Sequence, residues 1–208
     1  IKLGCKGDIF TIYNPINDNI IKKKSDILQQ LGIEPGGYIL TASTIEPRKN
    51  FAYLLEVLQY LFEKGLNQKL VVVGKKGWGI NSTIFDKYPN QIIFTNYLDN
   101  DSLSCLYHNA FFYITLPLHE GFGRTAVEAI LNECYTFVSD IDVFHELLAD
   151  NVTYLPLDNP VASADLILDT ISDSHFSQRI IKNNPEVTRF LTSNYSEIIS
   201  KTIQFVLE

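Results

Sequence analysis

With 208 residues, 46% of them hydrophobic, the chain can bury the core of one large or two small globular domains, which excludes a disordered segment. Its net charge of -7, without any long Lys/Arg run, excludes general nucleic-acid binding, because a phosphate backbone calls for a basic face. Nothing approaches the roughly 18 consecutive apolar residues of a membrane-spanning helix, and the opening IKLGCKGDIF lacks the pattern of a signal peptide.

The first residue is Ile and no Met occurs, so the chain is expected to be a segment of a longer protein. Cys5, Cys105 and Cys134 are odd in number and widely spaced, which suggests neither a disulfide framework nor a zinc site and fits a reducing cytoplasm. His108, His119, His145 and His175 show no metal-ligand spacing; His145 and His175 are expected to be structural or surface residues.

Taken in chain order, short apolar runs rich in Val, Ile, Phe and Tyr occur at DIFTIY, GYILTAS, KLVVVG, QIIFT, AFFYITL, YTFVSD and VTYL. Helical periodicity separates most of them. From Asn50 to Gly65, Phe51, Leu54, Leu55, Leu58, Leu61 and Phe62 recur at helical spacing, with Asn50 expected as N-cap and Gly65 as the stop. Beyond VTYLPLDNP, residues 160 to 208 are expected to be helical, closing with SEIISKTIQFVLE. Strands apolar on both faces and alternating with helices predict an α/β fold, a Rossmann-like doubly wound parallel sheet flanked by helices. Ligands of such sheets bind at the carboxyl ends of the strands, and the notable motifs fall there.

After the second run comes TASTIEPRKN, where Arg48 and Lys49 stand at a turn into a helix and are placed to hold an anion. After the third comes VVVGKKGWG, whose glycines allow close approach of a ligand to the backbone and whose Lys75 could reach a phosphate. Its G-x-x-G-x-G spacing is neither the dinucleotide fingerprint nor a P-loop, and Trp78 has equal claims to packing and to stacking. After AFFYITL comes LPLHEGFGRTAVEAI, whose Gly121-Phe122-Gly123 turn should open a helix with the Arg124 and Thr125 amides unpaired and available to a diphosphate. Glu120 in the turn and Glu128 in the helix would then face the crevice, where carboxylates accept paired hydrogen bonds from hydroxyls on both sides of the phosphates. A nucleotide sugar has that layout.

Glu46-Pro47-Arg48-Lys49-Asn50, Gly74 to Trp78, and Glu120-Gly121-Phe122-Gly123 through Glu128-Ala129 occur in an order and spacing that resembles the retaining GT-B glycosyltransferases of family 4, the glycosyl transferases group 1. The resemblance is to their C-terminal, donor-binding half, and runs over residues 8 to 207; TIYNPIND resembles its beginning and the terminal helix resembles the one that packs back on the N-terminal half. It implies that residues 1–208 form a single nucleotide-sugar-binding domain whose acceptor-binding N-terminal domain is absent. It also implies hexosyl transfer with retention, from GDP-mannose or a UDP-hexose to a saccharide or lipid-linked acceptor, in bacterial surface polysaccharide (O-antigen or capsule) assembly. No cofactor or metal is expected. The location implied is cytoplasmic, at the inner face of the cell membrane, with peripheral association allowed through the missing half.

By the same resemblance Glu120 contacts the donor sugar, Glu128 holds the ribose hydroxyls, and Lys49 binds the diphosphate with Arg48 beside it. Amides at Phe122, Gly123, Arg124 and Thr125 assist, Gly74 and Lys75 line the donor site, and Tyr97 and Leu98 lie beside the base. Three departures stand out. Ser43 occupies the place of an arginine found in many members, so Arg48 or Arg124 has to supply the second cation. Arg124-Thr125 replaces leucine-proline, and Glu133-Cys134 replaces a cysteine-glycine turn. A non-catalytic nucleotide-sugar-binding module remains open, as does another GT-B enzyme such as a sugar-nucleotide epimerase or a phosphorylase; no motif marks the pyridoxal lysine of a phosphorylase, and the missing fingerprint disfavours a nicotinamide dehydrogenase.

Overall fold

Six of the seven apolar runs form strands, all parallel, in one sheet. The structure, a computed structural model, describes residues 13–17, 24–79, 82–174, 176 and 185–191. The first expected strand, apart from Tyr13, lies outside the described residues, as do Cys5, His175 and the terminal helix SEIISKTIQFVLE. The elements are α1 (Ile27–Leu31), β1 (Tyr38–Ala42), α2 (Phe51–Glu63), β2 (Lys69–Val73), β3 (Ile92–Asn96), α3 (Asn100–Asn109), β4 (Phe112–Thr115), α4 (Arg124–Leu131), β5 (Thr136–Ser139), α5 (Asp142–Leu148), β6 (Thr153–Leu155), α6 (Pro160–Ser172) and α7 (Pro185–Thr188).

The strand order is β3-β2-β1-β4-β5-β6. The chain builds outward from β1 in one direction, then returns to place β4 on the other side of β1, which opens a crevice at the carboxyl ends of β1 and β4. This is the doubly wound, Rossmann-like sheet that the alternation of runs predicts.

Period-2 alternation sorts the strand side chains into two cores. Leu40, Ala42, Val71, Val73, Tyr113 and Val138 face a layer that includes Leu106, Ala126, Phe144 and Phe190. Ile39, Leu70, Val72, Phe112, Ile114 and Phe137 face the opposite layer, where Leu54, Leu58 and Leu61 of α2 and Ile167 of α6 pack. β3 is different: it is an edge strand, and Phe94 is 37% exposed, so the QIIFT run is not covered on both faces as its apolarity suggests.

The entry to α2 also differs from expectation. Asn50 gives no side-chain cap; it sits at φ 55°, in the left-handed region that Asn tolerates, and joins a 3-10 turn at Pro47–Lys49 to the helix. The exit is as the sequence suggests, with Gly65 at φ 94° donating its N–H to the Phe62 carbonyl. In the C-terminal region, α6 starts at Pro160 and is capped by Asn159, which accepts the Ala162 amide.

Candidate functional site

Three loops at the carboxyl ends of the strands build the site. The loops after β1 and β2 are laced together: Ser43 N–H donates to Val73 O, Ile45 N–H to Lys75 O, and Gly77 N–H to Ile45 O, at 2.9–3.0 Å. A Cβ on Gly74 would lie 2.0 Å from Ser43 O, and one on Gly77 would lie 2.7 Å from Ile45 O. The close approach that these glycines permit is therefore between two segments of the chain itself. Lys75 is exposed, and Trp78 is 72% exposed, so it is not a packed residue.

The loop after β4 docks on the 3-10 turn through Leu118 N–H to Arg48 O at 2.8 Å, and this brings Glu120 onto the two cations. Glu120 Oε2 accepts from Lys49 Nζ at 2.5 Å and from Arg48 Nη1 at 3.1 Å, while Arg48 Nε pairs with Glu46 Oε1 at 2.5 Å. Lys49 and Glu120 are only 11% and 13% exposed. Arg48, Lys49 and Glu120, separated by some seventy residues in the chain, thus form one cluster of alternating charge.

Past Glu120, Phe122 is buried against Tyr13 and Phe190, with ring centroids 6.3 and 5.3 Å away. Gly123 then caps α4 at φ 76°, and a Cβ there would meet Phe144 Cε1 at 2.4 Å. The amides of Arg124 and Thr125, at the first two positions of α4, find no acceptor among the described residues. They are the anion-seeking donors that the helix start predicts.

Glu128 lies one turn further in and is 6% exposed. Its Oε2 accepts the Tyr107 hydroxyl at 3.3 Å, and Oε1 stands 3.7 Å from Arg124 Nη2. Burial raises its carboxyl above the ordinary range, against the opposing pull of Arg124 and Tyr107. The Thr125 hydroxyl accepts from Tyr113 at 2.8 Å. Tyr97 and Leu98, beyond β3, form a separate wall; with Lys24, Gln30 and Asp99 they line an open cavity of about 840 Å³, and Tyr97 is 75% exposed. A second cavity, of about 470 Å³, opens beside Glu120 between the loops after β4 and β5, lined also by His119, Asp140 and Asp142.

The sequence alone did not reveal Tyr107 and Tyr113. The signal for Tyr113 is a phenol inside an otherwise apolar strand, which has to find a polar partner once buried; Tyr107, in the mixed helix NDSLSCLYHN, has no comparable signal. His145 pairs with Asp140 at 2.6 Å and stacks on Tyr154 at 3.9 Å, consistent with a surface role. Among the described residues, no group of three or more His, Cys, Asp or Glu is placed to hold a metal ion, and no helix is long and apolar enough to cross a membrane.

Known proteins resemble this chain in sequence and in fold. The chain is 26% identical over 138 residues to the serotype-specific mannosyltransferase WbdA of Escherichia coli, covering 64% of this chain and 17% of that protein. It is 27% identical over 154 residues to the O-antigen chain mannosyltransferase RfbU of Salmonella typhimurium, covering 73% and 41%. It therefore spans less than half the length of either relative. Its fold is that of the Anabaena HepE structure in complex with UDP and glucose, at a TM-score of 0.79 and 21% identity, covering 93% of this chain and 56% of that one. Residues 23–187 match the model of the glycosyl transferases group 1, and the chain belongs to that family.

Proposed function

We propose that this chain is the donor-binding half of a family 4 glycosyltransferase that transfers a hexosyl group, with retention, from a nucleoside-diphosphate sugar to a saccharide or lipid-linked acceptor in bacterial surface polysaccharide assembly. The observation that carries it is the meeting of Arg48, Lys49 and Glu120 where the loops after β1 and β4 converge, the two strands that flank the switch point. The mannosyltransferase relatives favour a hexose donor such as GDP-mannose, and the HepE complex is compatible with a UDP-hexose.

Glycosyl transfer develops positive charge at the anomeric carbon and negative charge on the departing diphosphate. In this reading Lys49, Arg48 and the first amides of α4 take up the leaving group, with Gly74 and Lys75 beside it and the Phe122 and Gly123 amides completing the turn. Glu120 exchanges its cations for the sugar hydroxyls when the diphosphate arrives. Glu128 holds the ribose, and Tyr97 and Leu98 flank the base. The charge is met by protein cations, with no cofactor and no metal. Attack occurs on the face from which the diphosphate leaves, so neither glutamate is assigned as a nucleophile, unlike the carboxylate pair of retaining glycoside hydrolases. The acceptor is held by an N-terminal domain, and the enzyme works in the cytoplasm at the inner membrane face.

Calorimetric titration of the 208-residue chain with UDP, GDP, ADP and their sugar conjugates tests this reading. One nucleoside diphosphate is expected to bind, and no sugar to be transferred without the opposing domain. Absence of binding by all of them refutes the assignment.

A further inference from the structure

Glu128 has to present a carboxylate to the crevice from a position that is 6% exposed, on a helix packed against α3. A glutamate has three rotatable bonds, so something has to fix where its oxygens point. α3 supplies that fixture. Tyr107 is fully buried, its ring stands edge-on to Tyr113 at 5.5 Å, and its hydroxyl donates to Glu128 Oε2 at 3.3 Å. Burial raises the phenol well above its ordinary range, so it stays neutral and keeps the proton it donates.

The seam that carries Tyr107 is pinned at several points. Tyr38 donates to the Leu106 carbonyl at 2.6 Å, Ser104 donates to Asn132 Oδ1 at 2.7 Å, and Asn132 Nδ2 donates to the Glu128 carbonyl at 2.8 Å. With Oε2 taken by Tyr107, Oε1 accepts no hydrogen bond among the described residues and has only Arg124 Nη2 near it, at 3.7 Å. A carboxylate has about four acceptor positions, so fixing one oxygen leaves the other oriented with capacity for hydroxyl donors.

Resting on the reading that Glu128 holds the ribose, we propose that Tyr107 is a positioning residue for ribose recognition: by anchoring Oε2 it aims the remaining acceptor positions of Glu128 at the adjacent 2′- and 3′-hydroxyls. Tyr113 is its counterpart on the phosphate side. It is equally buried, and its hydroxyl goes to Thr125 in the first turn of α4, not to Glu128. The two tyrosines therefore make a matched pair, each giving its hydroxyl to a residue of α4 that serves a different end of the ligand site.

The test compares UDP and GDP with their 2′,3′-dideoxy forms on the 208-residue chain. For whichever nucleotide binds, Tyr107→Phe is expected to weaken the ribonucleotide about three- to tenfold, to leave the dideoxy form unchanged, and so to shrink the discrimination between them. Tyr113→Phe is expected to leave that discrimination intact. In Glu128→Gln the discrimination is nearly abolished, and adding Tyr107→Phe to it changes nothing further. The double variant also serves if the single one does not fold, since it removes the buried charge that has lost its partner.

Equal weakening of both nucleotides in Tyr107→Phe, or a further loss of discrimination in the double variant beyond Glu128→Gln, overturns the positioning role. Unchanged discrimination in Glu128→Gln, or no binding of either nucleotide, instead overturns the ribose assignment on which it rests.

Discussion

Gly121 and Gly123 belong to the same short turn, yet the structure gives them opposite tolerance to a methyl group. Gly123 is left-handed at φ 76°, where an L-residue costs about 1–2 kcal/mol. Its added Cβ would lie 2.4 Å from Phe144 Cε1, and Phe144 is 1% exposed, so the ring cannot swing into solvent. Overpacking of that kind costs roughly 1–3 kcal/mol. Gly123→Ala should therefore destabilise the chain by about 2–5 kcal/mol. At roughly 2 °C per kcal/mol for a chain of this size, the melting temperature falls by about 4–10 °C. A Cβ on Gly121 meets nothing within 4 Å and the residue has no positive φ, so Gly121→Ala should stay within about 0.5 kcal/mol of the parent. Differential scanning calorimetry of both variants decides it. Comparable losses in the two, or none in Gly123→Ala, would show that the close contact between the α4 start and Phe144 does not exist as described.

The remaining expectations concern charge. Lys49→Ala should weaken nucleoside-diphosphate binding by about 1.5–3 kcal/mol, measured by calorimetry, while stability falls by less than the roughly 3–5 kcal/mol of a fully orphaned buried charge, since Arg48 stays on Glu120. Glu120→Gln frees both cations, so affinity for the bare nucleoside diphosphate should hold or rise while the sugar conjugate binds more weakly; equal losses for both ligands would refute the division of labour between the two glutamates. Glu128→Gln should weaken the bare nucleotide yet stabilise the fold at neutral pH. Because burial raises the Glu128 carboxyl, the native state takes up its proton at a higher pH than the unfolded chain does. Its contribution to stability is therefore fully present below the ordinary carboxylate pKa and is lost as pH rises through the raised native value. The advantage of the glutamine variant should shrink as the solution is acidified, and urea titrations at several pH values check the sign.

Most of the architecture is legible in the chain because parallel strands buried on both faces leave uninterrupted apolar runs. Ile39 and Leu40 are both fully buried, on opposite sides of the sheet, so YIL has no polar alternation to confuse the reading. β3 misleads for the same reason in reverse: Ile92 and Phe94 look like core, but no strand lies beyond them among the described residues. In the candidate site, Arg48, Lys49, Glu120 and the α4 start are legible because each sits at a strand end or helix start, where chemistry and position coincide, and Glu128 is legible as a charge on an otherwise apolar helix face. What spacing cannot convey is pairing across the fold. That Glu120 rests on Lys49, or that Tyr107 reaches Glu128, depends on how α3 and the 3-10 turn pack against α4 and its loop, and nothing local encodes that distance. Asn50 takes the expected N-cap position but makes no side-chain cap, because a cap and a left-handed joint draw on the same residue type.

The lacing of the loops after β1 and β2 has a mechanical consequence. Gly74 and Gly77 leave no gap between the two segments, so the loop that carries Lys49 and the loop that carries Lys75 move as one body and share their degrees of freedom. A ligand that engages either finds the other already in place, and little ordering entropy remains to be lost on binding. The same coupling constrains variation: a side chain added at position 74 displaces Ser43, and with it the approach to the 3-10 turn, so the two loops can drift in sequence only together.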